Sequence, residues 1–176
     1  MKLLLIKAQS PPGTIRMDRL IRCEPLELEY LYTVLRRYDP YIIDGSERRY
    51  NPIRLIRNVR PDIVLFTGYI IHVAVIGAEA AVMKRLLPNV RIFAGGVHAE
   101  VCPEHFDLPE VDGVFFADHA AALVEVIERV QSGKPFDDVP GLAVRKGTRF
   151  VRNRVKPGGS FFPLPERVLF NAAPER

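Results

Sequence analysis

Four short stretches carry residue types that can do chemistry: Ser10-Pro11, Thr67-Gly68-Tyr69, Gly95-Gly96-Val97-His98 and Ala117-Asp118-His119. Each follows an apolar, strand-like run, and the glycine pair is the most informative. Two adjacent glycines at a strand end remove two side chains where the backbone turns tightly or admits something close. A plain turn and a ligand wall are both consistent with that pattern. Cys102 lies four residues after His98 and three before His105. That trio lacks the fourth ligand and the ordered spacing of a structural zinc site. No Ser-His-Asp or Cys-His arrangement has supporting spacing either. The residues therefore point to binding, without a catalytic constellation.

The elements that must position these stretches follow from hydrophobic periodicity. Lys2 to Ala8 is a continuous apolar run, the pattern of a strand covered on both faces. A loop rich in structure breakers, Gln9 to Thr14, follows it. Glu24-Pro25 then opens a helix with Leu28, Leu31, Tyr32 and Leu35 on one side and Arg36-Arg37 at its C-terminal end. Tyr41 to Asp44 is a short strand closed by Gly45. Ile53, Ile56 and Val59 mark a brief helix that stops at Arg60-Pro61-Asp62. Ile63 to Gly68 is a third strand. A helix over His72 to Leu87 is expected to bury Val75, Ala78, Val82 and Leu86, and Pro88 ends it. Val90 to Gly95 is the fourth strand and Asp112 to Ala117 the fifth. Ala120, Leu123, Val124, Ile127 and Val130 form a last helix, closed by Ser132-Gly133.

Five alternations of strand and helix predict an α/β fold, flavodoxin-like (Rossmann-like), with a doubly wound five-stranded parallel sheet. Ligands of such sheets bind at the carboxyl ends of the strands, where the four stretches fall. Residues 1–134 form this α/β domain. Residues 135–154 read as a β-hairpin extension turning at Lys146-Gly147. Residues 155–176 hold Pro157, Gly158, Gly159, Pro163, Pro165 and Pro174 without periodicity. They read as an extended linker arm, on which a compact domain does not ordinarily end unless something follows it.

Composition narrows the classes. Of 176 residues, 48% are hydrophobic, enough for a packed core and too many for a disordered chain. The net charge of +4 is concentrated in Lys146, Arg149, Arg152, Arg154 and Lys156, a solvated face without the interleaved aromatics of a nucleic-acid platform. Met1 to Ile6 is too short for a signal peptide or a membrane span. Cys23 and Cys102 are the only cysteines, so the expected compartment is the reducing cytoplasm.

Rival chemistries of the fold fail on their own residues. A phosphoacceptor receiver needs acids after the first strand, where Ala8-Gln9 stand. A dinucleotide site needs G-x-G-x-x-G there, and Gln9-Ser10-Pro11-Pro12-Gly13 does not match. A flavin phosphate loop is poorly served by a proline pair, which removes amide donors.

The ordered set of motifs resembles the N-terminal cobalamin-binding domain of the B12-dependent radical S-adenosylmethionine enzymes. The set comprises Ser10-Pro11-Pro12-Gly13, Glu24 to Leu31, Arg60 to Leu65, Leu86 to Val90 with Gly95 to Ala99, Pro103-Glu104, Val111 to Val114, Pro140 to Ala143 and Phe162 to Arg167. It covers almost the whole chain. The resemblance implies a corrin bound across the strand ends, with its nucleotide tail buried beside the sheet. In that family the arm leads to a barrel holding a [4Fe-4S] cluster and S-adenosylmethionine on C-x-x-x-C-x-x-C. This chain has no such motif, so the resemblance implies a cofactor module whose chemistry, methyl transfer or a radical rearrangement, is completed by a catalytic domain in cis or in trans.

By the same resemblance, Gly95 and Gly96 let the backbone approach the corrin or its tail, and Thr67 and Gly68 flank the tail cleft. Ser10 and Pro11 of the first loop belong to the cofactor-binding set. Tyr69, Ile70 and Val97 floor the cobalt, or belong to the core. His98 meets a corrin amide or rim. Ala117, Asp118 and His119 replace the family's Gly-Glu-Gly-Glu-like run, which puts their contacts in doubt. Methionine-synthase-like domains carry D-x-H-x-x-G after the first strand. The absence of a histidine in residues 8–14 implies cobalamin held base-off with no histidine on cobalt. Two other readings stay open: a free-standing cobalamin carrier or sensor, and a flavodoxin-like interaction domain without cofactor.

Overall fold

A computed structural model describes residues 1–14, 25–47, 50–117, 119–155 and 164–165. Seven strands form one sheet in the order β2-β1-β3-β4-β5-β6-β7. They are β1 (Leu3–Lys7), β2 (Tyr41–Asp44), β3 (Ile63–Thr67), β4 (Arg91–Gly95), β5 (Gly113–Phe115), β6 (Leu142–Lys146) and β7 (Arg149–Arg152). The first five run parallel in the expected flavodoxin-like order. The hairpin continues the same sheet, with β6 antiparallel to β5 and to β7. Its role is to cover the β5 edge, which otherwise presents unpaired backbone groups. Most of the arm over residues 155–176 lies outside the described residues.

Five helices cover the two faces: α1 (Leu26–Leu35), α2 (Pro52–Val59), α3 (Val73–Leu86), α4 (Val97–Val101) and α5 (His119–Gln131). Alternating side chains of the strands feed two separate cores. Leu3, Leu5, Leu65, Phe93 and Phe115 pack with α1 and α5. Leu4, Ile6, Val64, Phe66 and Ile92 pack with α2, α3 and α4. Double coverage is why β1 and β3 read as unbroken apolar runs. α2 starts on an Asn51 cap, whose side chain accepts from the Arg54 N–H at 2.9 Å, with Pro52 in the first turn.

Two expectations need correction. The buried side of α3 is Ile76, Glu79, Ala80 and Met83, with Ala78 exposed and Val75, Val82 and Leu86 only partly covered. The helix is apolar around much of its circumference, so more than one stripe fits its sequence, and the side that packs inward carries Ile76, Ala80 and Met83 together with an acid. Glu79 tolerates that position because Gln9 Nε2 donates to it at 2.9 Å and the Tyr50 hydroxyl also donates to it. Burial raises the Glu79 carboxyl pKa, against the opposing effect of those two hydrogen bonds. The second correction concerns residues after Gly96, which form the short helix α4 where no element was expected.

Candidate functional site

The end of the parallel sheet is built as a row. Asp44, Lys7, Thr67 and Gly95 are in register across β2, β1, β3 and β4, and the alternation of each strand turns all four towards the α1 and α5 layer. Lys7 Nζ meets Asp44 Oδ2 at 3.3 Å, and Thr67 is buried. The first loop is tied to this row by the Ala8 N–H, which donates to the Thr67 carbonyl at 2.9 Å. Ser10 and Pro11 follow, half-buried.

The glycines differ in why they are glycines. Gly96 has φ +102°, a backbone region closed to other residues, and a β-carbon there would stand 3.1 Å from Glu27 Oε1 and 3.5 Å from the Gly68 nitrogen. Gly68 and Gly96 are thus adjacent. A β-carbon on Gly68 would come within 3.0 Å of His72, which folds back so that its Nδ1 accepts from the Tyr69 N–H at 2.8 Å. Gly68 therefore has a structural reason independent of any ligand. Gly95 has none: a β-carbon there would make ordinary contacts at 3.6 Å with Leu65 and Phe115.

An apolar platform lies beside these glycines. Tyr69 and Ile70 beyond β3 are 59% and 53% exposed, Val97 and Val101 on α4 are 60% and 70% exposed, and Ile71 is exposed as well. Scattered exposed apolar residues are ordinary, but these five sit on the two segments that follow the neighbouring strands β3 and β4. Tyr69, Ile70 and Val97 are platform residues and take no part in the core.

The histidines are disposed differently from the glycines. His98 Nε2 lies 3.0 Å from His105 Nδ1, and its ring stands edge-on to Phe106, a member of the α2–α4 core. That engages His98 on the opposite side of the sheet from α1. His72 is buried, and burial, with Lys7 second, lowers its pKa and favours the neutral ring that accepts from Tyr69. Among the described residues no group of three or more His, Cys, Asp or Glu side chains is arranged to hold a metal ion. Ala117 is clasped by the hairpin: the Phe116 and Ala117 N–H groups donate to the Gly141 carbonyl at 2.9 and 3.3 Å. Asp118 lies outside the described residues, as does the side chain of His119.

Glu27 was missed in the sequence, where it reads as an ordinary acid in a helix first turn. Helix α1 begins at the carboxyl ends of the strands, and its first turn sets the Glu27 carboxyl over Gly96. Burial, reinforced by the like charge of Glu100, pushes its pKa up to about 7. A cavity of about 210 Å³ lined by Ile56, Arg57, Arg60, Leu86 and Leu87 lies at the C-terminal ends of α2 and α3, the opposite edge of the sheet.

A parallel α/β sheet with a glycine pair, exposed apolar residues and a half-buried acid at its carboxyl edge has the layout of the flavodoxin-like class, whose ligands bind at that edge. The B12 binding domain model matches residues 19–127, more than half of the chain. The chain belongs to the B12-binding domain family. No curated protein matches the sequence. Among solved structures, the radical S-adenosylmethionine methyltransferase TsrM from Kitasatospora setae, with cobalamin and a [4Fe-4S] cluster bound, is similar with TM-score 0.68 and 18% identity, over 94% of this chain and 32% of that one. The cobalamin-dependent radical enzyme OxsB, with aqua-cobalamin and S-adenosylmethionine bound, is similar with TM-score 0.69 and 16% identity, over 89% of this chain and 22% of its own. At these identities the likeness is one of fold. The chain spans less than a third of the length of either enzyme. No helix among the described residues is long and apolar enough to cross a membrane.

Proposed function

We propose that this chain is the cobalamin-binding module of a larger B12-dependent radical S-adenosylmethionine enzyme. The observation that carries the reading is the strand-end surface: exposed apolar residues on the segments that follow β3 and β4, beside Gly95, a glycine whose β-carbon would make only ordinary contacts. Those residues fit the group. A corrin is a broad, largely apolar disc with polar arms. Tyr69, Ile70, Ile71, Val97 and Val101 would supply the disc's floor, while Gly95 would allow an arm to pass close to the backbone. Bound cobalamin supplies a cobalt centre that carries a methyl group or takes part in radical chemistry. The chain's own residues hold the disc, exclude water from its lower face and bury the arm. The [4Fe-4S] cluster and S-adenosylmethionine belong to a catalytic domain, in cis or in trans.

The mode of binding we infer is base-off without a histidine on cobalt. The support is positional. The loop after β1 holds no histidine, His98 is engaged by His105 and Phe106, and the His72 Nδ1 is occupied by Tyr69. The test mixes purified protein with hydroxocobalamin, removes free ligand by filtration and records the visible spectrum of what is retained. Retained colour with a base-off spectrum is expected. A colourless retained protein refutes the module reading, and a histidine-on spectrum refutes the inferred mode.

A further inference from the structure

We propose that the cavity at the C-terminal ends of α2 and α3 is a second binding site, one that takes a small organic carboxylate with a compact apolar body. The cavity has a volume of about 210 Å³ and is lined by Ile56, Arg57, Arg60, Leu86 and Leu87. That is the space of roughly seven water molecules, so the ligand is small. The cavity lies at the edge of the sheet opposite Gly95, and the proposal stands independently of the cobalamin reading.

The lining divides into two chemistries. Ile56 is buried and Leu86 and Leu87 are half-buried, so their side chains offer a ligand apolar contact and no hydrogen bond. Arg57 and Arg60 are exposed, and among the described residues neither guanidinium has a hydrogen-bond or carboxylate partner. The fold does not account for these two cations. Carbonyls at this edge that need a cation receive a lysine: Lys2 Nζ donates to the Val59 carbonyl at 2.9 Å, and Lys84 Nζ donates to the Val90 carbonyl and to Asp112, each at 2.7 Å. The acid nearest in sequence, Asp62, accepts from the Lys2 backbone N–H at 2.6 Å. Arg60 also ends α2 at φ +50°, a left-handed backbone in which glycine is the relaxed residue. Two unpaired guanidinium forks can donate in pairs to carboxylate oxygens, while the leucines and Ile56 cover a hydrocarbon body. An inorganic anion leaves the apolar lining uncovered, and a neutral hydrocarbon leaves the forks unanswered.

The test uses hexanoate as the probe on the isotope-labelled chain, with hexanol, acetate and inorganic phosphate as controls at fixed ionic strength, read by backbone amide chemical shifts. Hexanoate should give saturable shifts at Ile56 to Arg60 and at Leu86 and Leu87, with a Kd on the order of 1 mM. Hexanol lacks the charge-assisted hydrogen bonds, and acetate and phosphate lack the apolar body, so each should bind at least about tenfold more weakly. The double variant Arg57→Gln with Arg60→Gly should lose roughly tenfold in hexanoate affinity and leave hexanol binding as it is. Glycine relaxes the backbone at position 60, so the variant keeps the fold, and its amide spectrum checks this. Hexanoate shifts that are absent, fail to saturate or map elsewhere overturn the proposal on the wild-type chain alone. A control that binds as tightly as hexanoate also overturns it, as does a folded double variant with wild-type hexanoate affinity.

Discussion

Glu27→Gln should make the ligand-free protein more stable at alkaline pH and leave it nearly unchanged at acid pH. The wild-type carboxyl is displaced from an ordinary 4.5 to about 7 by burial and by Glu100. An acid whose pKa is raised on folding contributes stability that is fully present below 4.5 and is lost as pH rises through about 7. At about 1.36 kcal/mol for each pH unit, the ionised carboxyl costs the folded state roughly 3 kcal/mol above neutrality. Glutamine occupies the same space without titrating, so it removes that cost. Equilibrium unfolding in urea at about pH 5 and about pH 8 reads the difference. For a urea slope of about 1–3 kcal/mol per molar, the midpoint of the variant should exceed wild type by about 1–3 M at the higher pH. Comparing the two proteins at each pH cancels the titration of groups they share, His72 among them. Equal midpoints at both pH values, or a variant that is the weaker at pH 8, would refute the claim that the fold holds this carboxyl against its ionisation.

Other consequences are as specific. Gly95→Ala should change stability by no more than about 0.5 kcal/mol, because its β-carbon finds ordinary contacts, yet it should weaken cobalamin retention on a filter. Retention equal to wild type would remove Gly95 from the cleft. Gly141→Ala should cost roughly 2–4 kcal/mol in urea unfolding, since its φ is +79° and its β-carbon would stand 2.2 Å from the Ala117 carbonyl oxygen. Ile70→Ser with Val97→Ser should leave the melting temperature nearly unchanged while reducing hydroxocobalamin binding, because both side chains are exposed. His72, whose pKa is lowered by burial, contributes stability present above the ordinary histidine pKa and lost as pH falls below it. His72→Asn should flatten that acid limb in thermal unfolding followed by circular dichroism.

The sheet was legible because β1, β3 and β4 are covered on both faces, and a fully covered strand shows itself as an uninterrupted apolar run. The sequence Val73 to Leu86 is apolar on too many sides for periodicity to choose among them. The side that is buried includes Glu79, which partners 70 and 29 residues away, Gln9 and Tyr50, satisfy, and no local period shows that. Helix α4 escaped notice for a different reason: five residues after a glycine pair are too few to display a period. At the strand ends, Tyr69, Ile70 and Val97, which the sequence leaves as floor or core, face outward. His98 attracted attention by its type, but its neighbour His105, seven residues on, engages its ring. Nothing local marks Glu27, whose environment is made by Gly96 and Glu100 on a distant strand end and helix.

Gly95 and the half-buried Glu27 lie side by side at the carboxyl edge of the sheet, and stability alone calls for neither. A protein selected only for stability would carry glutamine or an apolar residue at position 27, because an ionisable group pushed up to about 7 lowers stability at neutral pH. It would equally accept alanine at position 95, where the contacts are ordinary. Local features that work against the fold gather at places held for another purpose. Here the two departures lie at adjoining positions on the carboxyl edge of the sheet, on the side of α1, next to an apolar platform that the core leaves exposed. The fold explains Gly68, Gly96 and His72 without a ligand. Gly95 is a glycine that these packing contacts do not require, and in the reading proposed above it would let a polar arm of the cofactor pass close to the backbone.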